Sequence, residues 1–324
     1  MIENLEIKNF KSIKYLKLDC KKVNIFIGRP NTGKSNILES IGIFSVPYGT
    51  IEKFVRFENM TNLFYDQDIE KKIEIKADDV YCEINFEVQS GQFKLKEGSK
   101  EKEIFSFESN YGYDRSKGGY GSSGGISPFK FYKYRVTEVF QRREPSFLLP
   151  PNGENLLSIL LTNKNLRKVV SDIFSEFKLK IVLRSQESKI EVQKEVEDVI
   201  VSYPYSLVSD TLQRIVFYLA AIETNKDSVI IFEEPEAHAF PYYTKFLAER
   251  IALDKTNQYF ISTHNPYFLL PVLEKTPIED IAILVTYFED YQTKVKPIAE
   301  NEMSKIMDFD ASIFFNLERF LEPE

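Results

Sequence analysis

The octapeptide Gly28-Arg29-Pro30-Asn31-Thr32-Gly33-Lys34-Ser35 constrains this chain more than any other stretch. Its spacing, G-x-x-x-x-G-K-S, is that of a phosphate-binding P-loop. Such a loop needs a buried strand before it and a helix behind it. The apolar run Val23-Asn24-Ile25-Phe26-Ile27 supplies the strand, and Ile37, Leu38, Ile41 and Phe44 give helical spacing from Gly33 to about Phe44. The two glycines let the backbone turn tightly, so that successive N–H groups point at phosphate oxygens. Lys34 offers a compact positive charge to β- and γ-phosphates, and Ser35 offers a hydroxyl to Mg²⁺. The helix N-terminus adds its dipole and free N–H groups. Gly28 to Ser35, with Asn36 behind them, are therefore the expected nucleotide cradle.

A second motif follows two hundred residues later. Val229-Ile230-Ile231-Phe232 is a continuously apolar, β-branched run that ends in Glu233-Glu234-Pro235-Glu236. The run reads as a doubly covered parallel strand. Acids at its C-terminal end lie on the rim where open α/β sheets bind ligands. Glu233 is assigned to the metal, and Glu234 to orienting and polarising an attacking water. The third motif, Phe260-Ile261-Ser262-Thr263-His264-Asn265-Pro266, ends another buried strand in a polar cluster. A neutral His264 imidazole there can hydrogen-bond a γ-phosphate oxygen or the water.

The remaining chain is organised around these blocks. Residues 1–19 and 70–108 alternate apolar and polar side chains, as half-buried strands do. Phe129 to Val136 reads as a further strand. Helical spacing covers Asn155 to about Phe177 with a break near Asn163, then Ser209–Glu223 and Pro241–Leu253. Strand-like runs occur at Leu179–Leu183, Ile190–Val192 and Ile281–Val285. Alternating strands and helices in the last third predict a parallel α/β sheet. Six of the 13 glycines lie between Gly112 and Gly125, and none follows Gly153. The Gly/Ser/Tyr-rich stretch 109–127 is expected to be a flexible loop; its aromatic and basic residues are also those that stack on single-stranded nucleic acid.

Composition narrows the alternatives. Only Cys20 and Cys82 are present, which excludes a disulfide scaffold and fits a reducing, cytoplasmic setting. The two histidines, His238 and His264, exclude a His-based metal cage. There is neither an apolar run long enough for a membrane span nor a secretory leader pattern, so no membrane partner is expected. The net charge of −7 argues against a wholly basic nucleic-acid-binding surface. Local excesses exist: eight Lys/Arg against four Asp/Glu in residues 1–50, and seven against three in 164–189. Such runs read as solvated surface or as a DNA-facing patch on an acidic body.

These three blocks, in this order, resemble the ABC-type ATPase heads of the SMC/RecF/OLD group, and most of all the stand-alone OLD-like AAA ATPases that carry no Toprim nuclease domain. Ile2-Glu3-Asn4-Leu5-Glu6-Ile7-Lys8-Asn9-Phe10-Lys11-Ser12-Ile13 is similar to that group's first strand before Walker A. Glu233-Glu234-Pro235-Glu236-Ala237-His238 looks like its Walker B block, and Ile261 to Pro266 like its switch-histidine block. Pro151-Asn152-Gly153-Glu154-Asn155-Leu156 resembles a stretch between the two lobes.

The resemblance implies one ABC-type ATPase domain over 1–324. Lobe I covers about 1–150, a helical and β insertion 151–206, and lobe II about 207–324. It implies Mg²⁺-dependent ATP hydrolysis, with Lys34, Glu234 and His264 in catalysis and Ser35 and Glu233 on the metal. It implies an ATP-dependent head-to-tail homodimer in which a signature segment, here Leu207 to Arg214, caps the partner's nucleotide through Ser209. The family has Ser-x-Gly where this chain has Ser209-Asp210-Thr211, so Ser209 is either a trans ligand or a helix N-cap. Glu233 stands where Asp is more usual. Gln141 and Gln67 are alternative Q-loop residues. Glu236 and His238 either touch a partner subunit or cap the helix at Pro241. DNA maintenance or anti-phage defence is the implied setting, with DNA and a separate nuclease or effector as partners.

Overall fold

The computed structural model describes residues 1–99, 102–109, 127–143 and 146–321. The chain opens with an antiparallel pair, β1 (Asn4–Phe10) and β2 (Ile13–Asp19), and then runs through β3 (Val23–Gly28) into the P-loop and α1 (Lys34–Gly42). Four further strands follow: β4 (Ile73–Ala77), β5 (Val80–Glu87), β6 (Gln92–Ser99) and β7 (Lys102–Ser109). Together with β1 and β2 they form an antiparallel sheet ordered β2-β1-β4-β5-β6-β7. Alternation in the sequence is met here by alternation in burial: Leu5, Ile7, Ile73, Ile75, Cys82 and Ile84 all face the core.

The next segment carries β8 (Phe129–Tyr132), then α2 (Leu156–Thr162) and α3 (Lys164–Ser175). The break expected near Asn163 is real, and the Asn163 side chain accepts a hydrogen bond from Leu166 N at 3.0 Å, capping α3. A separate antiparallel sheet follows, of β9 (Lys180–Arg184), β10 (Lys189–Val196) and β11 (Val199–Pro204), in the order β11-β10-β9. The last third supplies α4 (Asp210–Thr224), β12 (Val229–Glu233), α5 (Pro241–Leu253), β13 (Gln258–Ser262) and α6 (Pro266–Lys275). It ends with β14 (Ile281–Glu289), β15 (Gln292–Pro297) and α7 (Glu300–Phe309).

The sheet that positions the site runs β15-β14-β3-β13-β12-β8. Every neighbouring pair is parallel except β14 with β15. All six residues of β3 are buried, because it lies between β13 and β14 and is covered on both faces. Odd and even side chains therefore enter different cores. Ile25, Ile230, Ile261 and Ile283 pack beneath α4, α5 and α6. Phe26, Ile231, Phe260 and Leu284 pack against α1 and the antiparallel sheet, in a core that includes Ile37, Leu38 and Ile41. Each such side chain contributes about 1.5–3 kcal/mol through burial.

Two elements are shorter than the sequence reading. The strand from Phe129 stops at Tyr132 rather than Val136. Lys133 N turns away from the sheet to donate to Pro151 O at 2.9 Å, and Asn152 Nδ2 donates to Lys133 O at 2.6 Å. The helix after the P-loop ends at Gly42, and Ile43–Tyr48 continue as a tighter 3₁₀ turn that contains Pro47. The Gly/Ser/Tyr-rich segment, from 110 to 126, lies outside the described residues. Among the described residues, no helix is long and apolar enough to cross a membrane.

Ile25 is fully buried in the central strand. Ile25→Ala is expected to cost about 2–5 kcal/mol of unfolding free energy. Urea denaturation measures it, and a loss below about 1 kcal/mol would mean that β3 is not the strand on which the two cores close.

Candidate active site

The P-loop spans β3 and α1, and its shape is set by close approach. Gly33, the N-cap of α1, has φ 94°, and a Cβ there would lie 2.0 Å from Thr293 Oγ1. A Cβ at Gly28 would lie 2.2 Å from Thr286 Oγ1. The loop thus rests directly on the β14–β15 hairpin. Thr32 Oγ1 and Thr286 Oγ1 share a hydrogen bond of 2.6 Å, and Ser12 Oγ and Thr293 Oγ1 share another of 2.6 Å. Asn36 Nδ2 donates to Ser12 Oγ at 2.7 Å, so the residue after Ser35 is also held.

A cavity of about 500 Å³ opens above this loop. Pro30 to Asn36 form its floor, and Glu234 and His264 rise at one side. Glu234 follows β12 and has φ 45°, which turns its side chain off the strand end; its N–H donates to Ser262 O at 3.0 Å. Its carboxylate lies 3.2 Å from His264 Nε2. Burial lowers the His264 pKa, the Lys34 charge lowers it further, and Glu234 opposes both. A neutral imidazole next to an acid is therefore the state at pH 7. Lys34 Nζ donates to Gly28 O and Arg29 O, both at 2.8 Å. Burial brings its pKa down to about 8, with Glu234 opposing.

Of the expected site residues, Pro30, Asn31, Thr32, Gly33, Lys34, Ser35, Asn36, Glu234 and His264 converge on this cavity. Gly28 and Arg29 line a neighbouring cavity of about 520 Å³. Glu233 is held from the side by Arg56, whose Nη2 lies 3.3 Å from Glu233 Oε1 and whose Nε donates to Glu39 Oε1 at 2.5 Å. Glu39, fully buried on α1, also bonds Lys11 Nζ. Ser209 stays outside the cavity of its own chain. Its side chain caps α4 by accepting from Leu212 N at 3.4 Å, Asp210 pairs with Arg214 at 2.6 Å, and Thr211 Oγ1 donates to His238 O at 3.0 Å. Neither Gln67 nor Gln141 lines the cavity; both are exposed.

Three residues of the site were given no site role by the sequence, although Ser12 lies in the N-terminal stretch that carries the resemblance. Arg56 comes from a segment of short turns and reaches the cavity only because Glu39 holds it. Ser12 and Phe288 arrive from the β1–β2 turn and from β14. Glu236 corrects an expectation. It neither caps α5 nor faces outward, being 5% exposed. Its carboxylate accepts from Thr263 Oγ1 and, at 3.3 Å, from His264 N, tying the loop after β12 to the loop after β13. His238 O is the acceptor for Thr211, so His238 contacts the start of α4 rather than capping the helix at Pro241.

The fit to a metal can be tested on donors. Among the described residues no cluster of three or more His, Cys, Asp or Glu can hold an ion. Ser262 Oγ is buried with no hydrogen-bond partner. Glu233 pairs with Ser262 across the sheet, and Phe260, two residues earlier on the same strand, faces α1. An orphaned hydroxyl, a carboxylate and Ser35 at the head of α1 are oxygen donors. They suit Mg²⁺, which keeps waters and binds through few carboxylates plus phosphates.

Comparison with known proteins bears on the fold. Residues 1–120 match a family described as an AAA ATPase domain. An uncharacterized protein of Methanocaldococcus jannaschii is 30% identical over 90 residues, covering 24% of this chain and 41% of that protein. The chain thus spans about two fifths of that curated relative's length. Two solved structures align over nearly the whole chain. One is an Smc head bound to the C-terminal winged-helix domain of ScpA, with TM-score 0.54 and 17% identity, covering 93% of this chain and 99% of that one. The other is an Smc head with an extended coiled coil bound to the C-terminal domain of ScpA, derived from Pyrococcus furiosus. Its TM-score is 0.54 and its identity 14%, covering 95% of this chain and 98% of that one.

The chain has the α/β P-loop fold of an ABC-type ATPase head. The alternating strands and helices of the last third join β3 in a mostly parallel sheet, as the sequence led us to expect.

Glu236 gives a pH test. Burial raises its pKa from 4.5 to about 7, against the hydrogen bonds from Thr263 and His264. Between those values the folded chain keeps a proton that the unfolded chain has lost. The stability this proton contributes is complete below pH 4.5 and is lost as pH rises through 7. Glu236→Gln should therefore gain on the wild type by up to about 3 kcal/mol from pH 5 to 8. Denaturation at several pH values checks this, and a pH-independent difference would contradict a buried, titrating carboxyl.

Proposed function

We propose that this chain binds ATP with Mg²⁺ and hydrolyses it in the cavity above the P-loop. The reading rests on one observation above all: the Glu234 carboxylate and a neutral His264 stand 3.2 Å apart on the wall facing the P-loop lysine. In this reading the loop N–H groups and Lys34 bind the phosphates. Lys34 exchanges two carbonyl partners for phosphate oxygens. Glu234 takes hydrogen bonds from the attacking water and draws off its proton as the water oxygen bonds to the γ-phosphorus and the bond from that phosphorus to the bridging oxygen breaks, releasing ADP, and His264 orients the water or the γ-phosphate. Ser35 and Glu233 would hold Mg²⁺, which would neutralise phosphate charge there. For Glu233 to serve so, Arg56 must release it, and Arg56 already lines the cavity where phosphates would receive it.

The layout of two lobes around a 151–206 insertion belongs to the same proposal, as do a head-to-tail homodimer closed by Ser209 and a role in DNA maintenance or anti-phage defence with DNA and a separate nuclease or effector. The support is the resemblance of the motifs and the likeness in fold. A second reading is a nucleotide-gated switch with little hydrolysis. It is favoured by the bonds that knit Ser209, Asp210 and Thr211 into their own chain.

Glu234→Gln is expected to lower phosphate release about 10²–10⁴-fold while leaving ATP binding intact. Unchanged release would remove Glu234 from the chemistry. Mass measurement of the same variant separates the two readings. A doubling of mass on adding ATP supports the homodimer, whereas a monomer at saturating ATP supports the isolated switch.

A further inference from the structure

The strand order gives the cavity a direction. β13 and β12 lie on one side of β3, and β14 and β15 on the other. Glu234 and His264 follow β12 and β13, so a triphosphate whose terminal phosphate faces them must extend its nucleoside across the P-loop toward β14. This step rests on the nucleotide reading above. On that side one residue stands out. Phe288, near the end of β14, is 50% exposed and lines both the cavity over the P-loop and the neighbouring one. The two cavities share Pro30, Asn31 and Thr32, so they meet over the loop's shoulder with Phe288 between them.

The ring is held on a stiff mount. β14 is anchored to the P-loop two residues earlier by the Thr286–Thr32 hydrogen bond. β15 is anchored by Thr293 N, which donates to Ser12 O at 2.8 Å. The turn between them has Asp290 at φ 50° and Tyr291 at φ 59°, the paired left-handed geometry of a two-residue hairpin. Tyr65 OH donates to Tyr291 O at 3.2 Å and fixes the tip from the opposite wall. Lys294 pairs with Glu289 at 2.5 Å and with Asp290 at 3.1 Å, so the acids beside the ring carry a counter-charge. An apolar ring left half in water at the tip of a solvated hairpin is an ordinary surface feature when it stands alone. Here it stands at the mouth that the strand order assigns to the nucleoside.

We propose that Phe288 is the platform on which the nucleobase of the bound nucleotide stacks, so that the β14–β15 hairpin forms the base subsite and the P-loop the phosphate subsite. Arg29 and Glu318, paired at 2.6 Å, and the side chains of Leu317 and Leu321 bound the second cavity beyond the ring. That space takes an aromatic base. Because stacking uses the ring face alone, the subsite should accept more than one base.

The chain contains no tryptophan, which makes the test direct. In Phe288→Trp the single indole reports on the subsite. Its emission should be quenched by ATP and ADP and left unchanged by inorganic tripolyphosphate, which carries no base. In Phe288→Ala the affinity for ATP should fall about tenfold, and that for tripolyphosphate should stay at the wild-type value. Equal losses for both ligands would overturn the proposal, since Phe288 would then only support the loop. So would a flat indole signal in a Phe288→Trp chain that binds ATP normally. Failure of the wild-type chain to bind either ligand would overturn the nucleotide reading, and the base subsite with it.

Discussion

Two positions without a Cβ govern the geometry of the site. At Gly28 and Gly33 the backbone lies so near Thr286 and Thr293 that any side chain would collide with them. The loop is therefore seated on the β14–β15 hairpin instead of hanging from the end of β3. Everything above it inherits that seating. Asn36 is bonded through Ser12 to the same hairpin, so α1 begins at a fixed height over the sheet. Lys34 is folded onto the loop's own carbonyls, a resting place that keeps a partly buried ammonium hydrogen-bonded.

The other wall depends on burial rather than on seating. Glu236 is removed from water and bonded to Thr263 and to the His264 backbone, so the loops after β12 and β13 are pinned together behind the cavity. Glu234 and His264 project from this joint toward Lys34. A second set of charges, Lys11, Glu39, Arg56 and Glu233, runs from the β1–β2 turn through α1 to the end of β12. The antiparallel sheet is thus connected to Glu233 through a buried acid.

What could be read in the sequence was what repeats locally. The P-loop spacing, the apolar runs that end in Glu233 and Ser262, and the 3.6-residue spacing of α4 and α5 are each contained in a short window, and each lies where the reading placed it. Arg56, Ser12 and Phe288 are legible only in three dimensions. Their neighbours in sequence are ordinary strand and turn residues, and strand order alone brings them to one cavity. Glu236 shows the limit from the other side. An acid after a strand end is a good sign of an exposed rim, yet a threonine and a backbone N–H from the next strand take this one inside. Ser209 read as a trans ligand, with a helix cap as the alternative, and within one chain it caps α4.

The position of β3 also bears on how the chain is made. Among the described residues its strand neighbours are β13 and β14. Asn24, within β3, bonds Tyr259 O, 235 residues further along. At ribosomal rates of about 5–20 residues per second, a strand that is buried end to end in the finished fold emerges about 10–50 s before either neighbour exists. Early in that interval α1 and the antiparallel sheet are present to cover one face, and α2, α3 and α4, whose side chains share the core on the other face, emerge later. The loop that floors the cavity is thus completed by the last third of the chain. Any slowing of translation between β8 and β12 lengthens the time for which the strand that carries the P-loop is open to aggregation or to a chaperone.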